Sequence, residues 1–256
     1  MTASEISAPR LFVRAPLSAG GAIDLDRAQE NYLINVLRLD VDAEVLAFNG
    51  RDGEWTARLV EAGRRRRRLE ARAAVRPQSP MPDLHYLFAP LKRARLDYVV
   101  QKAVEMGVGR LTPVVTRFVQ VARVNRARME ANAIEAAEQC GLLSVPAIDE
   151  PVRLAALLDG WAADRPGRRI VFCDEAAGAA DPLAILARLP RSPLAVLVGP
   201  EGGFAAEERD DLLARPFVTA LPLGPRILRA DTAAVAALAL IQAALGDWRG
   251  RDGTPA

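Results

Sequence analysis

The sequence predicts a two-part α/β protein: a parallel sheet covered by helices on both faces, preceded by a small strand-rich barrel. Three observations carry that expectation. The 256 residues exceed one typical domain and 50% of them are apolar, enough for one sizeable core and a second smaller one. Up to Arg76 the apolar segments are short and closed by Asn and Gly, whereas later apolar runs alternate with helical stretches, the grammar of a buried parallel sheet. Between the two patterns stand Pro77, Pro80 and Pro82, which fix φ and remove backbone donors, so this segment reads as a linker.

The first part holds strand-like stretches at Leu11-Phe12-Val13, residues 45–48 and residues 55–60, with Asn49-Gly50-Arg51-Asp52-Gly53 as a turn. Residues 27–37 form one helical interruption. The run Arg64 to Arg68 lies beside Gly63 and reads as a hairpin turn, either an RNA contact or a solvated tip. The expected boundaries are a barrel over 1–76, the linker 77–83, a sheet domain over 84–248 and a tail 249–256. In the second part the strands fall at residues 84–89, 111–115, 170–173, 194–198 and 218–221. Leu96, Val99, Val100, Ala103 and Met106 recur at helical spacing, an amphipathic helix that Gly107 caps. The last helix, opening near Asp231, is apolar nearly all round, so it is either deeply buried or a face for a second copy.

Several function classes drop out. Met1 to Phe12 contains no signal-peptide apolar block, and the longest apolar stretch, residues 233–241, is far shorter than the ~20 residues of a bilayer span. A cytoplasmic protein with no membrane partner is expected. Cys140, Cys173 and the sole histidine, His85, supply neither a disulfide framework nor a zinc site, so no metal is expected. Both cysteines read as buried small residues and His85 as structural. There is no P-loop and no nucleophile-elbow motif, and Gly107-Val108-Gly109 lacks the third glycine of a dinucleotide fingerprint. The net charge of +2 conceals nine Lys or Arg against two acids between Lys92 and Arg128, a local +7. That points to a polyanionic partner, with solvated helix faces as the alternative.

Two loops could carry chemistry. Gly199-Pro200-Glu201-Gly202-Gly203-Phe204 follows one expected strand, and Leu223-Gly224-Pro225-Arg226-Ile227-Leu228-Arg229-Ala230-Asp231-Thr232-Ala233 follows another. Ligands of open α/β sheets gather beyond strand carboxyl ends, where glycine lets them lie on the backbone. One such loop alone could be a plain turn; two after neighbouring strands favour a ligand.

Lys92, Gln101 to Val108, Glu135 to Cys140, Val198 to Phe204, and Leu223 to Arg229 with Thr232-Ala233 resemble, in that order, the RsmE family of 16S ribosomal RNA uracil-N(3) methyltransferases. The likeness extends to the Arg10-Leu11-Phe12-Val13 start and to Val36-Leu37-Arg38. It implies a PUA-like β-barrel followed by a SPOUT methyltransferase domain with a trefoil knot, a homodimer, S-adenosyl-L-methionine as methyl donor, and 16S ribosomal RNA of the small subunit as partner. The resemblance assigns the donor to Leu197, Val198, Gly199, Glu201, Gly202, Gly203, Leu223, Gly224, Ile227, Leu228, Arg229, Thr232 and Ala233. The pattern departs from the family at Asn31, at Leu142 and at Ala230-Asp231.

Methyl transfer to a ring nitrogen needs in-line positioning and help in removing a weakly acidic proton. Arg229 is the candidate cation facing the developing charge. Glu138 reads either as proton acceptor or as a solvent-facing helical acid. Arg117, Arg123, Arg126 and Arg128, with Lys92 and with Arg10 and Arg38 from the barrel, are the candidate RNA contacts. A non-catalytic ribosome-assembly factor, or a knotted methyltransferase acting on another nucleotide, are the rival readings.

Overall fold

The computed structural model describes residues 8–63, 66–121, 123–178, 180–190 and 192–249. Arg64 and Arg65 of the basic run, the start of the segment Met1 to Phe12 and the tail from Gly250 lie outside the described residues. The chain divides into two compact units, Met1–Met81 with Ala137–Val145, and Pro82–Ala136 with Pro146–Ala256.

The first unit is a five-stranded sheet of β1 (Arg10–Phe12), β2 (Ala22–Asp24), β3 (Glu44–Phe48), β4 (Glu54–Glu61) and β5 (Arg67–Arg76), in the order β1-β3-β4-β5-β2. Only β1 and β3 run parallel. Alternation sends Val45, Ala47, Ala57, Leu59, Leu69 and Ala71 inward, where Leu11, Ile23 and Leu33 join them in one core. The β3–β4 turn is closed by Asn49, whose Oδ1 accepts from Arg51 N–H (3.0 Å) and Asp52 N–H (2.9 Å). Gly53 sits at φ +81°, and a Cβ there would stand 2.3 Å from Arg76 O, so no other residue fits. The expected helix is present but changes form. Asp26 and Gln29 make a capping box for α1 (Arg27–Asn31), which runs on as a π-helical turn over Tyr32–Val36.

The end of helix α3 (Arg126–Cys140) belongs to this unit, and two arginines hold it there. Arg10 Nη1 donates to the carbonyls of Ala137 (2.6 Å) and Glu138 (2.7 Å), and its Nη2 to Leu142 O (2.7 Å). Arg76 Nη2 donates to Gly141 O at 3.0 Å. Both guanidiniums also clasp the buried Glu54, through Nε at 2.7 and 2.6 Å. Helix carbonyls left without partners, at the negative end of the helix dipole, thus meet cations. Burial pushes the Glu54 carboxyl up, but the hydrogen bonds and charges of Arg76 and Arg10 outweigh it and hold it below the ordinary value.

The second unit is built on a parallel sheet of β6 (Leu84–Phe88), β7 (Arg110–Val115), β8 (Ala147–Ile148), β10 (Arg169–Cys173), β11 (Leu194–Val198) and β12 (Val218–Leu221), ordered β12-β10-β11-β6-β7-β8. The short β9 (Val152–Arg153) pairs with the far end of β7. The apolar runs read from the sequence are β6, β7, β10, β11 and β12, to within a residue; the two-residue β8 and β9 were not read. On one face, Leu87, Ile170, Phe172, Ala195 and Leu197 pack with Leu158 and Trp161 of α4 (Leu154–Asp164) and Leu212 of α6 (Ala206–Ala214). α7 (Ala230–Leu245) packs on β11 and against α2 (Arg93–Glu105) and α5 (Pro182–Ala187). Its Ala233, Ala234, Ala237, Leu238 and Ile241 are buried, which accounts for much of its apolar character within the fold. Gly107 caps α2 at φ +74°, with its N–H to Val104 O and Val108 N–H to Ala103 O.

His85 is structural, as expected. Thr112 donates its hydroxyl to Asp149, so His85 donates from Nε2 to Thr112 Oγ1 (2.7 Å), and its ring stacks on Trp161 at 5.9 Å. Burial drives its pKa down to about 3. The cysteines differ from expectation. Cys140, at the end of α3, is exposed, and Cys173 is only half-buried because it ends β10 at a cavity.

Candidate functional site

Strand β10 lies between β11 and β12, so the sequence order reverses around it. The carboxyl ends of these three neighbours therefore open side by side, the place where α/β sheets hold ligands. A cavity of about 390 Å³ lies there, within the range of small-molecule sites. Its wall is made of three loops. The turn after β11 supplies Gly199, Pro200, Glu201, Gly203 and Phe204, and the segment after β12 supplies Leu223 to Leu228. Ala230 and Ala233, in the first turn of α7, complete that side.

Most donor residues expected from the sequence meet in this cavity: Val198, Gly199, Glu201, Gly203, Leu223, Gly224, Ile227, Leu228 and Ala233. Four do not line it. Leu197 points into the core on the opposite face of β11, because successive strand residues alternate. Gly202 faces away, toward Phe118. Thr232 and Arg229 are exposed beside the cavity, Arg229 as the N-cap of α7.

The third loop, after β10, was not anticipated. Cys173, Asp174, Glu175, Ala176 and Gly178 line the cavity, with Phe172 below them. Asp174 is buried and anchors this loop: its Oδ1 accepts Ala176 N–H (3.0 Å), and Arg209 of α6 donates Nη2 to its Oδ2 (2.9 Å) and Nε to both oxygens. The signal available was the strand-end rule itself, applied to the segment following Cys173. Phe204 packs edge-on to Phe172 at 5.0 Å, and a Cβ on Gly199 would meet its ring at 2.4 Å. That residue must be glycine because the ring occupies the space. Burial pushes the Cys173 thiol up to about 12, so it is a neutral wall atom and no nucleophile.

Of the basic stretch, Arg128 grips Asp97, an acid of the same stretch already counted in the +7, through Nε (2.7 Å) and Nη2 (2.6 Å), and acids from elsewhere in the chain offset further charges: Arg126 pairs with Glu130 and Glu150. Arg110 pairs with Asp149 and Arg95 with Glu201. Arg117 is exposed, with Glu207 at 3.6 Å. Lys92 and Arg123 are exposed and carry no ion pair among the described residues; Arg38 is exposed on the first unit with φ +55°. Arg10 commits most of its guanidinium donors within the first unit, to Glu54 and three carbonyls, and lies over the Phe48 ring. Glu138, the candidate proton acceptor, accepts the Phe12 N–H through Oε1 at 2.8 Å.

A family model described as an RNA methyltransferase domain matches residues 77–242, and one described as an RNA methyltransferase PUA domain matches residues 25–69. The chain belongs to the RNA methyltransferase family. This methyltransferase is 28% identical over 235 residues to the ribosomal RNA small subunit methyltransferase E of Rickettsia conorii, covering 91% of this chain and 94% of the relative. Among solved structures, that enzyme from Neisseria gonorrhoeae, bound to S-adenosylmethionine, superposes with a TM-score of 0.79 at 27% identity, covering 92% of this chain and 97% of that one. A methyltransferase from Legionella pneumophila, in complex with the same cofactor, gives a TM-score of 0.80 at 27% identity, over 93% and 98% of the two chains. The resemblance carried by the ordered sequence blocks is borne out, and with it the two-domain class, a PUA domain followed by the methyltransferase domain of the second unit.

Proposed function

We propose that the methyltransferase transfers the methyl group of S-adenosylmethionine to N(3) of a uridine in 16S ribosomal RNA, acting in the cytoplasm on the small subunit. The observation that carries this reading is the single cavity into which the turn 199–204 and the segment 223–233 converge. The residues suit the donor. Phe172, Val198, Phe204 and Leu223 offer apolar surface to a purine, glycines at 199, 203 and 224 let it approach the backbone, and Glu175 brings negative charge to a site for a cationic sulfonium. When bound, the donor supplies an electrophilic methyl group.

The chain has to position the uracil and ease loss of its ring proton. The first turn of the 16-residue α7 borders the cavity through Ala230 and Ala233, and Arg229 caps that end with an exposed side chain. The positive end of this helix dipole and the Arg229 guanidinium are the groups that would face the uracil oxygen as it becomes anionic, and such preorganised donors commonly contribute about 3–4 kcal/mol. The proton passes to water at the exposed mouth formed by Gly224, Pro225, Arg226 and Ile227.

The family reading also brings a trefoil knot and a homodimer. Val235, Ala236, Ala239 and Leu240 are only half-buried on one stripe of α7, a face suited to a second copy. Calorimetric titration with S-adenosylmethionine should give one site per chain. Comparison of ribosomal RNA from cells with and without the protein should then show one missing methyl-uridine in the deletion. A missing methyl on another nucleotide would refute the assigned substrate, and no donor binding would refute the enzyme.

A further inference from the structure

The donor turn has an outer side as well as an inner one. Of residues 199–204, Gly202 alone does not line the cavity. It faces Phe118: a Cβ built on Gly202 would stand 3.3 Å from Phe118 Cβ and 3.8 Å from its Cγ. Phe118 is 47% exposed, on the loop that follows β7. The loop is held in place. Arg117 N–H donates to Glu208 Oε1 at 2.8 Å, and the other oxygen of Glu208 accepts Ala205 N–H at 3.1 Å, so one side chain ties the loop to the start of α6 just past the donor turn. A half-exposed aromatic ring on an anchored loop thus stands beside the outer side of the donor turn, with the exposed guanidinium of Arg117 beside it in sequence and exposed Arg123 further along the same segment.

We propose that Phe118 is a stacking platform for the base of a nucleotide flanking the target uridine, with Arg117 meeting its phosphate. Rings beside cations are the usual means of gripping unpaired RNA bases, because every base offers a π-face. A flanking base is the occupant since the ring lies outside the cavity that the target must enter. The inference rests on the RNA-methylating reading above.

The test uses small ribosomal subunits from cells lacking the protein, with S-adenosylmethionine. Phe118→Ala should raise KM for the subunit about 5- to 150-fold, leaving donor affinity, thermal stability and oligomeric state unchanged. Phe118→Tyr and Phe118→Trp should restore KM to within about threefold, whereas Phe118→Leu, apolar but without a π-face, should not. A leucine variant as good as the wild type, an unchanged KM in the alanine variant, or a shifted oligomeric state would overturn the proposal. Should the wild-type protein methylate no subunit RNA, the broader reading fails instead, and quenching of the Phe118→Trp fluorescence by poly(U) would still decide whether this ring stacks on bases.

Discussion

Replacing Arg10 by alanine separates a structural arginine from a phosphate contact. The variant removes a hydrogen bond to Glu54 and three to the carbonyls of Ala137, Glu138 and Leu142. Charge-assisted bonds contribute about 1.5–3 kcal/mol each when counted singly, but the sum overshoots. Glu54 keeps Arg76, and some of the freed carbonyls can take up water. Breaking a buried pair costs about 3–5 kcal/mol, and because the Arg10 side chain is 14% exposed and that of Glu54 4%, solvent screening removes little of it. About 3 kcal/mol is therefore expected, a fall of more than 100-fold in the folded ratio of the first unit. Amide hydrogen exchange in β1 and β3 reads that loss locally. Arg10→Lys should recover less than half, since one ammonium cannot span acceptors on opposite edges. The salt dependence of RNA binding by folded protein should keep its slope, whereas loss of a phosphate contact would lower the log–log slope by about 0.7–0.9. Unchanged exchange with a reduced slope would refute the structural assignment.

Four further outcomes follow from the same geometry. His85 titrates near 3 in the fold against 6.5 ordinarily, so the unfolded chain binds the proton first; stability should fall as pH drops from about 6.5 toward 3, by up to ~1.4 kcal/mol per unit. Urea midpoints across that window test this, and His85→Gln should flatten that part of the curve. Gly199→Ala forces the Phe204 ring from its seat on Phe172, an overpacking of ~1–3 kcal/mol that should weaken donor binding about 5- to 150-fold by calorimetry; wild-type affinity would remove the steric argument. Glu138→Gln keeps an oxygen for the Phe12 N–H and should retain single-turnover transfer, so a dead but stably folded variant would place Glu138 in the chemistry. Arg123→Ala should reduce the salt slope by about 0.7–0.9, and Arg128→Ala by less because Asp97 already neutralises it; equal slopes would show that pairing does not govern RNA contact.

The strands of the second unit were legible because a buried parallel strand is a continuous apolar run, and residues 194–198 and 218–221 carry no competing pattern. The two donor loops were legible for a related reason: their glycines and prolines stand directly after those runs. The loop after Cys173 was not, because its place depends on β10 lying between β11 and β12, a fact of strand order that no local spacing encodes. Charge misled where acids distant in sequence fold back, as Asp149 does onto Arg110 and Glu150 onto Arg126. The partners of Arg10 were not legible, since nothing near it in sequence signals the helix end that occupies it.

That helix end has a bearing on how the molecule is made. The N-terminal sheet receives its last strut, residues 137–145, only after a long stretch of the second unit has been translated. A fragment cut at residue 81 would leave Arg10 and Arg76 without their carbonyl acceptors, and should gain protection when a peptide spanning 126–145 is supplied in trans. During synthesis, the early sheet waits for its closure until that peptide has left the ribosome.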